Sequence, residues 1–235
     1  MRLHLLPSRQ GSAAENMAAD FLLLQRYPDS GDARFRHYSW HRPSYTFGFS
    51  QKIVWVREQL AGREPYDLCR RPTGGGVVDH TDDWTYALVI PRGHALEEQR
   101  ATESYRIIHA EIASALCGQG VPAVLKKPDP TASVTGPGLC YEQAEIHDVI
   151  LSTTGSKIAG AAQKRNKHGL LFQGYISRTL SGVSVDWELF EESFTSGLAA
   201  ALHLEALQVP WPEFREGEFE GLMEQYSTPE WLEYR

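Results

Sequence analysis

The stretch that decides the fold is Arg70-Arg71-Pro72-Thr73-Gly74-Gly75-Gly76-Val77-Val78-Asp79-His80, followed three residues on by Trp84-Thr85-Tyr86-Ala87-Leu88-Val89-Ile90. The second segment is β-branched, aromatic and apolar, which predicts a buried strand. The first removes the Cβ from three successive residues, so its amides are open to a ligand and φ values closed to other residues become available. A glycine loop that feeds a buried strand puts sheet structure in the middle of the chain.

Working outward toward the N-terminus, Phe35 to Phe49 is aromatic-rich and punctuated by Pro43 and Gly48, which predicts strands and a loop ending in Gly48-Phe49-Ser50-Gln51. Before it, Ser12 to Leu24 carries helix formers and an apolar face, with Ser12 and Glu15 spaced as a capping box and Pro28 near the stop. On the other side, Glu103 to Cys117 has a helical period that puts Tyr105, Ile108, Ile112, Ala115 and Leu116 on one face, and Cys117 reads as core packing. Val149-Ile150-Leu151-Ser152, the turn Thr153-Thr154-Gly155-Ser156 and Lys157-Ile158-Ala159-Gly160 predict a hairpin, and Leu170 to Ser177 a further strand. Trp187 to His203 and Phe214 to Tyr226 are helix candidates, the second ending before Ser227-Thr228-Pro229-Glu230-Trp231. Helices at both ends of a strand-rich middle predict an α/β (α+β) fold, mixed sheets with flanking helices, rather than a regularly alternating doubly wound sheet. The expected organisation is a single domain over 1–235 with a C-terminal helical segment at about 187–235.

With 235 residues, 42% of them hydrophobic, the chain has the material for a substantial core. A net charge of -7 and a pI of about 5.7 argue against a general nucleic-acid binder, which needs a basic face. The cysteines, Cys69, Cys117 and Cys140, are odd in number and lack a C-x-x-C spacing, which suits a reducing compartment and predicts a cytoplasmic protein. The segment Met1 to Ser8 is too soon interrupted to read as a signal peptide, and no apolar run approaches the roughly 20 residues that span a bilayer. The histidines show no H-E-x-x-H or repeated ligand spacing, so no metal site is expected.

The glycine run lacks the G-K-[ST] ending of a P-loop and the G-x-G-x-x-G spacing of a dinucleotide fold, so neither mechanism applies. An oxyanion, a phosphate or an extended acyl group remains open, and so does a plain tight turn. Arg70 and Arg71 favour the binding readings, because guanidinium forks recognise phosphates and carboxylates. Cys140 sits in Gly138-Leu139-Cys140-Tyr141-Glu142, a loop by composition. A thiol with a pKa of about 8.5 needs a cation or base to act at neutral pH, and Lys157, just past the hairpin turn, is the candidate. Partial burial would also let lysine act as the general base. Such a pair can make and discharge a thioester; the alternative is a small hydrophobe and a solvated lysine. Lys164-Arg165-Asn166-Lys167-His168 is a basic cluster on an acidic chain, either a solvated hairpin face or a steering patch for an acidic carrier or acceptor.

Taken together, Asn16-Met17-Ala18, Gly48-Phe49-Ser50-Gln51, the double-arginine triglycine segment, Lys157-Ile158-Ala159-Gly160-Ala161-Ala162-Gln163 and Tyr226-Ser227-Thr228-Pro229-Glu230-Trp231 resemble the lipoate-protein ligase and octanoyltransferase family, over nearly the whole chain. The resemblance implies the α/β fold that this family shares with biotin protein ligases. It also implies acyl attachment to a lysine of a lipoyl domain or the glycine-cleavage H protein. The pattern of a cysteine followed by an aromatic, eight positions before Asp148, is similar to transferases that take octanoyl groups from acyl carrier protein. It implies Cys140 as acyl-thioester nucleophile and Lys157 as its activating partner. The substrate-binding residues it implies are Arg70, Arg71, Thr73, Gly74, Gly75, Gly76, Val77, Val78, His80, Asp148, Gly160, Ala161, Ala162, Gln163, Gln173 and Gly174. No cofactor is then expected, and octanoyl-acyl carrier protein and a lipoyl domain or H protein are the expected partners, with no nucleic acid and no membrane.

Two departures from the family pattern stand out. Phe172-Gln173-Gly174 carries glutamine where histidine is usual, so this position is neither acid nor base at neutral pH. The hairpin is about two residues longer than usual, and a one-residue slip would reverse the face of Lys157. Competing readings are an ATP-dependent lipoate ligase, which alone would require Mg-ATP, a lipoyl amidotransferase using Cys140, and a non-catalytic module that binds acyl carriers.

Overall fold

The computed structural model describes residues 1–28, 31–128, 144–179 and 182–234. Its elements are β1 (Arg2–Gly11), α1 (Ala13–Gln25), β2 (Ala33–Trp40), β3 (Ser44–Phe47), α2 (Ile53–Gln59), β4 (Asp67–Arg70), β5 (Val77–Asp79), β6 (Asp83–Pro91), α3 (Ala95–Glu98), α4 (Ala101–Cys117), β7 (Ala123–Leu125), β8 (Val149–Leu151), β9 (Lys157–Asn166), β10 (Gly169–Ser177), α5 (Trp187–Ala201), β11 (Glu205–Gln208), α6 (Glu218–Ser227) and α7 (Pro229–Leu232). Among the described residues the strands form an eight-stranded sheet in the order β11-β1-β2-β6-β10-β9-β8-β7 and a three-stranded sheet in the order β4-β3-β5. In the large sheet β1 runs parallel to β2 and β11, and the neighbours from β2 through β7 are antiparallel.

Strand β6 is central and buried at every position, as its composition predicts. Its side chains alternate across the sheet. Trp84, Tyr86, Leu88 and Ile90 join the core beneath α4 and α5, with Ile108, Ile112, Phe190 and Phe194; Ala87 and Val89 face the core beneath α1, with Met17, Leu23 and Tyr38. Burying a large apolar side chain stabilises the fold by about 1.5–3 kcal/mol, so these two layers hold the sheet. The small sheet has its own core of Tyr45, Phe47, Ile53, Val56, Leu60 and Val77.

The capping box of α1 is present: Glu15 N–H donates to Ser12 Oγ at 3.3 Å and Ser12 N–H to Glu15 Oε2 at 2.6 Å. The predicted hairpin is β8 and β9, turned at Gly155 with φ +74°. Three expectations are corrected. Cys117 is exposed, on the last turn of α4, with its thiol donating to the Ala123 carbonyl at 3.1 Å. Helix α6 begins at Glu218 rather than Phe214, because Gly217 takes a left-handed φ of 72° that breaks the period. The C-terminal segment also contains a strand: β11 is exposed at every position, so it has no burial pattern to read and forms because β1 offers it an edge. Among the described residues no helix is long and apolar enough to cross a membrane.

Candidate active site

Lys157 begins β9 at a point where the pairing with β8 shifts register, Val149 facing Ala159 but Ile150 facing Lys157. Such a bulge re-aims a side chain. The lysine turns inward, and its Nζ lies 2.7 Å from Asp148 Oδ2, both side chains 7% exposed. Asp148 is fixed in turn by the Glu145 N–H, which donates to Oδ2 at 2.7 Å. The segment entering Asp148 is pinned by His109 on α4, whose Nδ1 donates to the His147 carbonyl at 2.7 Å; burial lowers the pKa of this imidazole, so it holds the contact in its neutral form. Gly160 leaves the space that the lysine occupies: a Cβ there would lie 2.6 Å from Lys157 Cε and 2.8 Å from Nζ.

Lys157 lines a cavity of about 50 Å³ together with Met17, Tyr38, Thr46, Arg71, Gly75, Val78, His80, Thr85, Ala161, Ala162, Gln173, Gly174 and Tyr175. The glycine loop forms one wall. Arg71 holds it from inside, donating from Nε and Nη2 to the Gly74 carbonyl at 3.0 and 2.6 Å and from Nη2 to the Gly76 carbonyl at 2.9 Å. Gly75 has φ +90°, and Gly48 packs so closely beneath it that a Cβ would meet the Gly75 carbonyl oxygen at 2.0 Å. Only glycine satisfies both positions.

On the opposite side of the loop, the Thr73 hydroxyl donates to Gln173 Oε1 at 2.8 Å, and Gln173 Nε2 donates to Asp20 Oδ2 at 2.7 Å. Asp20 also accepts from Arg36 at 2.6 Å and from the Tyr38 hydroxyl at 3.1 Å. Burial raises the Asp20 carboxyl above its ordinary range, with Arg36 leading the groups that oppose it. The glutamine therefore uses one acceptor and one donor to tie the loop to a buried ion pair, a task that needs no ionisation. Beside it, His80 Nδ1 lies 2.6 Å from Asp83 Oδ2 and Nε2 lies 2.8 Å from Thr46 Oγ1.

The structure thus brings Lys157, Asp148, Arg71, Gly75, Val78, His80, Ala161, Ala162, Gln173 and Gly174 to one place, with Thr73 behind them. Arg70 is a correction. It is fully buried, and its guanidinium donates to the carbonyls of Phe49, Gln51, Trp231 and Leu232, so it ties the loop to α7 rather than presenting a fork to a ligand. Val77 is a second: strand alternation sends it into the small-sheet core. Gln163 donates to the Ala101 carbonyl at the start of α4 at 3.3 Å. Gly74 and Gly76 serve as acceptors for Arg71. Arg165, in the basic cluster, donates to the Gln99 carbonyl at 3.0 Å. Cys140 and the loop around it lie outside the described residues. Of the described cysteines, Cys69 is fully buried, which pushes its thiol well up and leaves it inert. Among the described residues no cluster of His, Cys, Asp and Glu is arranged to hold a metal ion.

Sequence reasoning missed Tyr38, Thr46, Thr85 and Tyr175. Their only signal is alternation within strands, which assigns a face but not the cavity that the face adjoins.

The chain matches the lipoyl protein ligase A/B catalytic domain family over residues 12–196. It is 30% identical over 176 residues to a Bacillus cereus protein named octanoyltransferase LipM, covering 72% of this chain and 63% of that one, so the match spans less than two thirds of that relative's length. A Staphylococcus aureus octanoyltransferase LipM is 26% identical, covering 92% of this chain and 93% of its own. Among solved structures, the bipartite lipoate protein ligase of Thermoplasma acidophilum superposes with a TM-score of 0.72 at 19% identity, covering 98% of this chain and 94% of that one. A lipoate-protein ligase A bound with ATP gives 0.71, also at 19%, covering 99% and 98%. At these identities the structural likeness speaks for the fold.

Proposed function

This chain belongs to the lipoyl protein ligase A/B catalytic domain family, and from that premise we propose that it is an octanoyltransferase of protein lipoylation. The thiolate of Cys140 attacks the thioester of octanoyl-acyl carrier protein, the carrier thiol leaves, and the octanoyl group rests on Cys140. A lysine of a lipoyl domain or glycine-cleavage H protein then attacks this second thioester, releasing Cys140 as the amide forms. Lys157 supplies the cation that favours the thiolate and the proton returned to it. No nucleotide or metal enters the scheme, and a reduced thiol is what a cytoplasmic setting maintains. A lipoyl transfer between acceptor proteins would follow the same two steps.

The single observation that carries this reading is the buried Lys157–Asp148 pair at a cavity walled by the triglycine loop. An ion pair taken out of water is unfavourable unless something requires it, and removing either partner would strand a charge. The similarity to proteins named octanoyltransferase adds support, as does the commitment of both loop arginines to backbone carbonyls rather than to an outward phosphate site.

The test is intact mass of this protein and an apo lipoyl domain after incubation with octanoyl-acyl carrier protein and no ATP, beside Cys140→Ala. An octanoyl adduct on the wild type, passed to the acceptor and missing in the variant, is the expected result. The second reading, an ATP-dependent lipoate ligase, draws on the likeness to a lipoate-protein ligase A bound with ATP. It predicts no transfer until lipoate or octanoate and Mg-ATP are added, with Cys140→Ala still active.

A further inference from the structure

We propose that Thr46, His80 and Asp83 form a proton relay that carries the proton released by the attacking amine out of the acyl cavity; this rests on the amine-acylation reading above. His80 Nδ1 is 2.6 Å from Asp83 Oδ2 and Nε2 is 2.8 Å from Thr46 Oγ1. This is the hydroxyl, imidazole, carboxylate order that moves protons in acyl transfer. The carboxylate sets the tautomer: Nδ1 donates to Asp83, which leaves Nε2 to accept from Thr46. Arg71 Nη1 donates to Thr46 Oγ1 at 3.3 Å, so one lone pair of the hydroxyl is occupied and the other is open to an incoming N–H. The imidazole is held by Trp40, stacked at 4.2 Å between centroids, and the second oxygen of Asp83 accepts from the Thr85 hydroxyl at 2.8 Å.

The position of the histidine gives the relay two ends. Thr46, Thr85 and His80 line the cavity that Lys157 lines, while His80 and Asp83 also line a surface cleft of about 330 Å³ that includes Arg42 and Arg178. Among the described residues His80 alone lines both spaces. A proton taken up at Nε2 makes an imidazolium that Asp83 holds and stabilises without itself being protonated, and the ring then gives a proton up toward the cleft. In the transfer, the C–N bond forms as the C–S bond of the acyl-cysteine breaks, and the acceptor ammonium gives up two protons. One returns to the Cys140 sulfur by way of Lys157; the other passes through Thr46 to His80, whose imidazolium Asp83 stabilises until the ring releases the proton on the cleft side. Amide and free thiol remain.

The experiment separates the steps by single turnover, following loading of Cys140 from octanoyl-acyl carrier protein, discharge to the lipoyl-domain lysine, and discharge to hydroxylamine, which is already neutral at neutral pH. In His80→Gln and Asp83→Asn, discharge to lysine should fall about a hundredfold further than either of the other two steps. Thr46→Ser, which keeps the hydroxyl, should recover most of what Thr46→Val loses. A uniform fall in all three steps, or a lysine step that keeps pace with loading, overturns the relay. If the wild type loads only with Mg-ATP, the transferase reading fails by itself, and the same comparison of lysine with hydroxylamine on the acyl-adenylate decides the relay.

Discussion

A methyl group at Gly160 would meet Lys157 Cε at 2.6 Å, whereas one at Gly48 would meet the backbone oxygen of Gly75 at 2.0 Å. The difference lies in what can move. Backbone cannot yield without displacing the whole loop, but the end of a lysine side chain can, and at Gly160 the part that yields is the Lys157 amine to which the proposed function gives the proton-transfer role. Gly160→Ala should therefore cost only about 1 kcal/mol of stability while lowering single-turnover acyl transfer about a hundredfold, as a misplacement near 1 Å does. Chemical denaturation and the transfer rate check the two halves, and an alanine variant that transfers at the wild-type rate would remove Lys157 from the mechanism. At this scale Lys157 was legible because it follows a turn and precedes small residues. Thr46 and Asp83 were not, since a threonine within a strand and an aspartate at a strand's start are ordinary wherever they fall.

Arg70 shows what an element requires. Its Nε and Nη2 donate to the Trp231 and Leu232 carbonyls at 3.0 and 2.6 Å, Trp231 Nε1 donates back to the Arg70 carbonyl at 2.9 Å, and Trp231 stacks on Tyr226 at 4.6 Å. The contact docks α6 and α7 beside β4 and, through Phe49 and Gln51, steadies the wall of the cavity. Arg70→Met strips these carbonyls of a charged donor, which should destabilise the fold by about 3 kcal/mol or more. Hydrogen exchange should quicken first over 218–232. Equal protection there in the variant would show that packing alone docks the helices. The capping box of α1 and the hairpin of β8 and β9 were legible because local residues make them: a hydroxyl and a carboxylate three apart, and a glycine with positive φ in the turn. Nothing local marks β11, which needs the edge of β1, or assigns Arg70 to the inside, since the carbonyls that hold it come from residues 49, 51, 231 and 232.

For the whole molecule, the pH dependence of stability carries a signature of the central sheet. His37 stacks on Trp84 at 4.4 Å and donates from Nδ1 to the Thr85 carbonyl at 2.8 Å, and burial lowers its pKa to about 4. Because the folded pKa lies below the ordinary value of about 6.5, the unfolded chain binds the proton first as pH falls. Stability is then full above about pH 6.5 and is lost on the way down to pH 4, by about 3 kcal/mol from this residue. Denaturation curves at pH 7 and pH 4 should differ by that much more in the wild type than in His37→Gln, which keeps a donor but cannot charge; equal acid losses would refute the assignment. The capped helix α1, the hairpin of β8 and β9, the buried strand at 84–90 and the glycine loop before it were determined by the sequence alone, because periodicity, capping and the missing Cβ atoms act within a few residues. The tertiary structure decided which of two adjacent arginines faces the cavity, that Lys157 meets Asp148 in a buried pair, and that His80 stands between cavity and cleft. Those outcomes depend on strand order and register: the Lys157–Asp148 pair spans only nine positions but needs the β8–β9 register shift, and the others join residues dozens of positions apart through contacts that form only when the two sheets and their helices close on one another.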